Sequence, residues 1–145
     1  ILNHAFCSNL LGFMADYSKG RILLVDDEPI VLEMFESFLS QAGYHVSISS
    51  NATDALVNIE RNFYDAVVCD VTLEEFDGFD ILMISRKKNQ KVGVVLITGA
   101  PFGPDAEKAK QQNAVYLSKP LGSDTLIDAV QESISLVADK KAQAT

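Results

Sequence analysis

From residue 21 onward, short apolar runs alternate with longer segments that have helical character, and this alternation limits the possible folds most strongly. The apolar runs are RILLV, YHVSIS, DAVVCD, VGVVLIT and AVYLS. The helical segments are PIVLEMFESFLSQAG, NATDALVNIERN, FDILMISRKK, DAEKAKQQN and SDTLIDAVQESISLVADKK. Strands that alternate with helices indicate a parallel sheet covered on both faces. The sequence therefore predicts an α/β fold with five parallel strands and five helices.

The first helix has clear start and stop signals. Pro29 suits the first turn, where its missing N–H is not needed, and Gly43 is a good stop. Its inward face is predicted to carry Val31, Met34, Phe35, Phe38, Leu39 and Ala42. The corresponding stripe of the last helix is Leu126, Ile127, Val130, Ile134 and Val137.

Composition excludes several classes of protein. The 145 residues include 20 acidic and 12 basic ones, a net charge of −8 that argues against a nucleic-acid surface. No apolar run approaches the ~20 residues of a membrane span, so no membrane association is expected. Two cysteines in dissimilar surroundings do not form a disulfide framework, which favours a reducing, cytoplasmic location.

The length is typical of one domain, which we place at residues 19–139. Residues 1–18 form an N-terminal extension and 140–145 a polar C-terminal tail. Met14 opens a segment that resembles a natural start, so we interpret residues 1–13 as a cloning product or an upstream extension.

Polar residues follow four of the five predicted strands. Asp26 and Asp27 come after the first strand, Asp70 ends the third, Thr98 ends the fourth and Lys119 follows the fifth. Each residue alone is a common turn or cap residue. In a parallel α/β sheet the carboxyl ends of the strands share one edge, where ligands bind. The five residues are therefore predicted to form one site.

The chemistry of this set points to phosphoryl transfer. Two unit charges 4 Å apart repel by about 4 kcal/mol at an effective dielectric of 20, so three converging carboxylates need a cation. Oxygen ligands favour Mg²⁺, which shares phosphate oxygens. Lys119 and Thr98 add a positive charge and a hydroxyl that suit a phosphoryl group. A carboxylate beside such a metal can attack phosphorus.

The sequence resembles the receiver domain of two-component response regulators from about residue 20 to residue 138. The segments LLVDDEP, DAVVCDVTLEEFDG, VLITGA and VYLSKP occur in the order of that family and near its spacing. The resemblance implies a flavodoxin-like, doubly wound sheet with strand order 2-1-3-4-5.

The resemblance also implies roles for the acidic residues. Asp70 would accept the phosphoryl group. Asp26, Asp27 and Asp70 would bind Mg²⁺ or Mn²⁺, with the backbone carbonyl of Thr72 as a further ligand.

Four other residues receive roles from the resemblance. Thr98 would hydrogen-bond the phosphoryl group and Lys119 would pair with it. Tyr116 would be the aromatic residue that changes rotamer as Thr98 moves; a strand aromatic that packs on a helix is the alternative. The Lys119–Pro120 peptide bond would be cis, which is rare in general.

The implied function is a signalling module that is switched by phosphorylation. The donor would be a sensor histidine kinase or a phosphotransfer protein. Phosphorylation would reshape the face formed by the fourth helix, fifth strand and fifth helix, where an effector or a second copy would bind. Such a domain catalyses its own phosphorylation and dephosphorylation but is not an enzyme that acts on an outside substrate.

The sequence departs from the family pattern in three places. Leu73 and Glu74 stand where the family often has Met-Pro, and the segment between Thr98 and Lys119 is about one residue short. The apolar residues of the fourth helical region are only Ala106, Ala109 and Ala114, so burial stabilises it little. We expect this helix to be short or mobile.

The sequence disfavours three alternative functions. A phosphatase of the haloacid dehalogenase type needs a second aspartate two residues after the nucleophile, where this chain has Thr72. A flavodoxin-like cofactor binder needs a phosphate-binding loop after the first strand, which is acidic here. A receiver-like domain that works without phosphorylation is disfavoured because all five site residues are present.

Overall fold

The computed structural model of the protein describes residues 19–99 and 104–144. Its five strands are β1 (Gly20–Val25), β2 (Tyr44–Ser49), β3 (Ala66–Asp70), β4 (Gly93–Thr98) and β5 (Val115–Ser118). Its five helices are α1 (Pro29–Gln41), α2 (Ala52–Arg61), α3 (Gly78–Lys88), α4 (Pro104–Gln111) and α5 (Ser123–Ala144). The N-terminal extension, residues 1–18, lies outside the described residues, so the interpretation of its origin stays a prediction.

The strands form one parallel sheet in the order β2-β1-β3-β4-β5, which confirms the predicted fold. Every residue of β3 and β4 is buried because helices cover both faces of the sheet. One apolar core lies between the sheet and α2, α3 and α4. A second core lies between the opposite face and α1 and α5.

Helix α1 buries Leu32, Phe35 and Leu39 against the sheet. The prediction that Met34 points inward was wrong, since its side chain is 39% exposed. The buried positions recur at three- and four-residue spacing from Leu32, and Met34 lies just outside that stripe. At about 100° per residue, Met34 lies one step around the helix from Phe35 on the side away from Leu32, and therefore outside the buried face.

Side chains of the preceding loops cap the N-termini of helices α2 and α3. The Asn51 side chain accepts a hydrogen bond from the backbone N–H of Asp54 and so caps α2. Asp77 and Asp80 form a reciprocal capping box at α3. These caps fix where the loops after β2 and β3 enter their helices.

Helix α4 has eight residues and is the shortest of the five, in line with the expectation of a short element. Only Ala109 is buried among its side chains from position 105 to 111. The mobility of α4 stays a prediction.

Helix α5 continues to Ala144, further than the segment SDTLIDAVQESISLVADKK that the sequence indicates as helical. The proposed boundary of the C-terminal tail also stays a prediction. Within the described residues, none of the helices combines the length and the apolar character that a membrane span requires.

Candidate functional site

The site lies where the strand order reverses. The chain passes from β1 outward to β2 and then returns across β1 to β3, so the loops after β1 and β3 diverge and leave a crevice at the carboxyl edge. Asp26 follows β1 and Asp70 ends β3 at this crevice. Lys119 follows β5 and reaches the same point from the far side of β4.

Lys119 connects the acidic residues of the crevice. Its Nζ atom lies 2.9 Å from Oδ2 of Asp26 and 3.0 Å from Oδ2 of Asp70. A third carboxylate, that of Glu28, lies 3.3 Å away through Oε1. Burial alone lowers the pKa of Lys119, but hydrogen bonds to Asp26 and Asp70 and their charges outweigh it, so the pKa rises above its ordinary value. The ammonium group therefore stays charged.

Asp26 is the most deeply buried acid of the site, with 2% of its surface exposed. Burial raises its pKa, while the hydrogen bonds from Lys119 and from the backbone N–H of Glu28 act in the opposite direction. The Glu28 N–H donates to Oδ1 of Asp26 at 2.9 Å, so both carboxylate oxygens are held. The orientation of this carboxylate is thereby fixed.

Asp70 is also held at both oxygens. Its Oδ1 accepts a hydrogen bond of 2.8 Å from the backbone N–H of Thr72, and its Oδ2 pairs with Lys119. Gly78 packs behind it, because a Cβ atom there would lie 2.9 Å from the backbone oxygen of Asp70. The start of α3 therefore approaches the end of β3 as closely as the backbone allows.

Four carboxylates converge at this edge of the sheet. One oxygen each of Asp26, Asp27, Glu28 and Asp70 lies within 4.8 Å of the others. Asp27 and Glu28 are exposed, whereas Asp26 and Asp70 are buried. The sequence analysis did not predict Glu28 as a site residue. Its position directly after Asp26 and Asp27 could have indicated that its carboxylate joins theirs. All donors are oxygens, the set that a hard cation such as Mg²⁺ prefers.

The remaining predicted residues surround this cluster. Thr98 ends β4 beside β3 and is buried, with 5% of its surface exposed. Tyr116 is half-buried and packs on the core beneath α2, α3 and α4. The Lys119–Pro120 bond is cis, the isomer that the resemblance implies, and the Lys119 N–H donates to the Thr98 carbonyl at 2.8 Å.

Comparison with known families decides the classification. The sequence profile of the response regulator receiver domain matches residues 22–131, which is most of the chain. The chain belongs to the response regulator receiver domain family. It is thus a receiver domain of the kind found in two-component signalling, and this assignment does not favour the phosphatase alternative.

Curated relatives of this receiver domain are transcriptional regulators. It is 38% identical over 109 residues to the alginate biosynthesis transcriptional regulatory protein AlgB of Pseudomonas aeruginosa, with 74% of the chain and 24% of the relative covered. It is 29% identical over 119 residues to the transcriptional regulatory protein GlrR of Escherichia coli, with 81% of this chain and 27% of the relative covered. The chain spans about a quarter of the length of these relatives.

Solved structures of receiver domains have the same fold. A CheY-like response regulator receiver domain protein from Methanospirillum hungatei is 25% identical with a TM-score of 0.74, and 83% of this chain and 97% of that chain are covered. A response regulator receiver protein from Sinorhizobium medicae is 29% identical with a TM-score of 0.74, and 81% of this chain and 95% of that chain are covered.

Proposed function

We propose that the receiver domain accepts a phosphoryl group on Asp70 from a histidine kinase or a phosphotransfer protein and thereby switches a protein-interaction surface. The observation that carries the proposal is the convergence of Asp70 with two further aspartates and Lys119 at one edge of the sheet. The relatives' names describe transcriptional regulators, which supports a role in signalling.

The proposed reaction uses the held geometry of Asp70. A carboxylate oxygen attacks the phosphorus of a phosphohistidine, a P–O bond forms, and the P–N bond breaks as the imidazole leaves with its electron pair. Lys119 lies 3.0 Å from this carboxylate, where its charge can pair with the phosphoryl oxygens. Thr98, at the adjacent strand end, is proposed to hydrogen-bond a further phosphoryl oxygen.

Asp26, Asp27 and Asp70 are proposed to bind Mg²⁺ or Mn²⁺, together with the backbone carbonyl of Thr72. The oxygen-only donor set fits such an ion, and Glu28 adds a carboxylate at the same edge. When bound, the ion neutralises charge on the phosphoryl oxygens. Asp26 is oriented for this role by its bonds to Lys119 and the Glu28 N–H.

The switch is proposed to act through Thr98 and Tyr116. Thr98 would move toward the phosphoryl group and Tyr116 would follow it inward, which reshapes the face of α4, β5 and α5. Tyr116 is half-buried in β5 and packs on the core beneath α2, α3 and α4. An effector or a second copy would bind there. The proposal also includes a cytoplasmic location and autocatalysed phosphorylation and dephosphorylation without an outside substrate.

Incubation with acetyl phosphate and Mg²⁺, followed by intact mass measurement, tests the proposal. We expect one added phosphoryl group on the wild-type chain and none on Asp70→Asn. Asp128→Asn is the matched control, because Asp128 is an exposed aspartate of α5. It should be labelled like the wild type.

Two results would contradict the proposal. One is a wild-type chain that gains no phosphoryl mass with either acetyl phosphate or a phosphorylated phosphotransfer protein. The other is equal labelling of wild type and Asp70→Asn, which would place the modification elsewhere. A circular dichroism spectrum of each variant shows that loss of labelling does not come from loss of the fold.

A further inference from the structure

The loop between β3 and α3, residues 71–77, carries a backbone group that orients Asp70. The Thr72 N–H donates to Oδ1 of Asp70 at 2.8 Å, so the position of the loop sets the direction of the carboxylate. The loop has the sequence VTLEEFD and contains no proline, so no pyrrolidine ring restricts its backbone. Its conformation therefore depends on contacts with neighbouring parts of the fold.

Backbone hydrogen bonds fix the two ends of this loop. The Val71 N–H donates to the Ile97 carbonyl of β4, and the Gly78 N–H donates to the Val71 carbonyl, both at 2.8 Å. Between these ends, Leu73 is buried in the core beneath α2, α3 and α4, whereas residues 74–77 are exposed. The middle of the loop thus has one apolar anchor, next to Thr72.

Glu75 joins the exposed part of the loop to helix α2. Its Oε2 atom accepts a hydrogen bond from the Thr53 hydroxyl, and we call this contact the Thr53–Glu75 bridge. Within the described residues, no other hydrogen bond joins residues 73–76 to another part of the chain. The bridge is therefore the polar contact that restrains the middle of the loop.

Thr53 offers a firm attachment point because the start of α2 is itself fixed. Asn51 caps the helix, and Ala52 and Ala55 are buried on either side of Thr53, at 2% and 0% exposure. The Glu75 carboxylate meets α2 at its second residue, where the backbone N–H groups of a helix N-terminus favour negative charge. Both the hydroxyl and the helix end thus favour the observed position of Glu75.

The bridge lies at the wall of the acidic crevice. Asp27, Asn51, Glu74 and Glu75 line one depression, so the loops that follow β1, β2 and β3 meet beside the carboxylate cluster. Glu75 is three residues along the chain from Thr72, whose N–H holds the Asp70 carboxylate. A shift of Glu75 is therefore expected to reach Asp70 through the backbone of a short loop.

We propose that Thr53 and Glu75 are positioning residues for phosphoryl transfer, because their bridge holds the loop in which the Thr72 N–H orients the Asp70 carboxylate. They act through the loop backbone and not as catalytic residues. The inference rests on the proposed function of Asp70 as the phosphoryl acceptor, and it gives α2 a part in setting the rate of transfer.

The labelling rate of Asp70 by acetyl phosphate at saturating Mg²⁺, followed by intact mass, tests this inference. Thr53→Val removes the hydroxyl at nearly the same volume, and we expect labelling about threefold slower than in the wild type. Thr53→Ser keeps the hydroxyl and should restore the wild-type rate. Because neither change alters the charge of the protein, the attraction of the crevice for Mg²⁺ is left as it is.

Amide exchange measured by NMR supplies a second readout that does not depend on labelling. In Thr53→Val the Thr72 amide should exchange about threefold faster, because the loop that carries it is less restrained. The Ile59 amide, in the last turn of α2, should exchange at the wild-type rate. The midpoint of urea unfolding should match that of the control variant Thr125→Val, which replaces an exposed threonine in the first turn of α5.

Different results would overturn the inference and the proposed function. A wild-type chain that is not labelled overturns the proposed function, and the inference that rests on it falls too. If the wild type is labelled, the inference alone is overturned when Thr53→Val has the same labelling rate and Thr72 exchange rate. Thr53→Ser as slow as Thr53→Val, or Thr125→Val equally slow, would also overturn it, because the hydroxyl of Thr53 would then not be the cause.

Discussion

The ammonium group of Lys119 lies between the carboxylates of Asp26 and Asp70, at 2.9 and 3.0 Å. The Asp26 carboxylate is buried, and an unpaired charge at such a position is costly. Lys119 thus does two things in the described structure: it balances charge in a buried pocket, and it holds two acids from different strands in place. The side chain that balances this charge is also the one proposed to pair with the phosphoryl group.

Replacement of Lys119 by methionine should lower the free energy of unfolding by about 1–3 kcal/mol, because the buried Asp26 carboxylate loses its positive partner. Urea unfolding in the presence of EDTA measures this change in the free energy of unfolding without a contribution from bound divalent cations. Addition of Asp26→Asn to Lys119→Met should recover part of the loss, since an amide carries no charge. A double variant less stable than Lys119→Met would show that the pairing is not the cause.

Gly78→Ala tests the close approach of α3 to β3. The added Cβ atom would lie 2.9 Å from the Asp70 backbone oxygen and 3.0 Å from the Val71 Cα atom, so the loop after Asp70 must shift. We expect a loss of about 1–3 kcal/mol in the free energy of unfolding and slower labelling of Asp70 by acetyl phosphate. Gly122→Ala is the control, because a Cβ atom there meets nothing within 4 Å. If Gly122→Ala lowered the free energy of unfolding and slowed labelling as much as Gly78→Ala, the close approach of α3 to β3 would not be the cause.

At the scale of elements, α4 is held mainly by polar contacts. Ala109 is its one fully buried side chain among positions 105 to 111. The guanidinium group of Arg86, on α3, donates to the backbone carbonyls of Gln112 and Asn113 just after α4 ends. The ammonium of Lys108 lies 4.3 Å from the centre of the Phe79 ring. The helix at the proposed output face is therefore attached to α3 with little apolar burial.

Arg86→Met should loosen α4, because two carbonyl groups lose their donors while the apolar stem of the side chain remains. We expect a loss of about 1–2 kcal/mol in the free energy of unfolding and faster amide exchange across residues 105–113. Hydrogen–deuterium exchange with mass spectrometry measures this segment directly. Lys87→Met, at an exposed neighbouring position, is the control and should leave the exchange rates unchanged. Slow exchange in Arg86→Met would contradict the role of Arg86 and the predicted mobility of α4.

At the scale of the whole molecule, the parallel sheet gathers residues that are far apart in the chain. Asp26, Asp70 and Lys119 lie at the carboxyl ends of three different strands, and they meet because every strand ends at the same edge. The folded state therefore brings the Asp70 carboxylate to those of Asp26, Asp27 and Glu28, from which the unfolded chain keeps it apart. A cation that binds this cluster should stabilise the fold as a whole.

Addition of Mg²⁺ should raise the midpoint of thermal unfolding. At a Mg²⁺ concentration ten times the dissociation constant, binding to the folded state alone contributes about 1.4 kcal/mol. Calorimetry in Mg²⁺ or in EDTA, at equal ionic strength, measures the difference. Asp27→Asn should reduce the stabilisation because it removes an exposed carboxylate of the cluster, whereas Asp128→Asn should not. If Mg²⁺ raised the unfolding midpoint equally in Asp27→Asn and Asp128→Asn, the ion would bind outside the carboxylate cluster.

The fold and most of the site follow from local patterns in the chain. Apolar runs of strand length that alternate with helical periodicity are sufficient to indicate a parallel sheet, and its strand order came from the family resemblance. Asp26, Asp27, Asp70, Thr98 and Lys119 were predictable as a set because each stands at a strand end. Their roles in binding and transfer stay predictions.

Other features depend on how the elements pack in space. Three such features are the exposure of Met34, the carboxylate of Glu28 beside Lys119 and the Arg86 contact with the end of α4. Periodicity along a chain determines which face of an element is apolar, but distances between elements depend on the volumes of all the side chains packed between them. For that reason these contacts emerged from the folded structure alone.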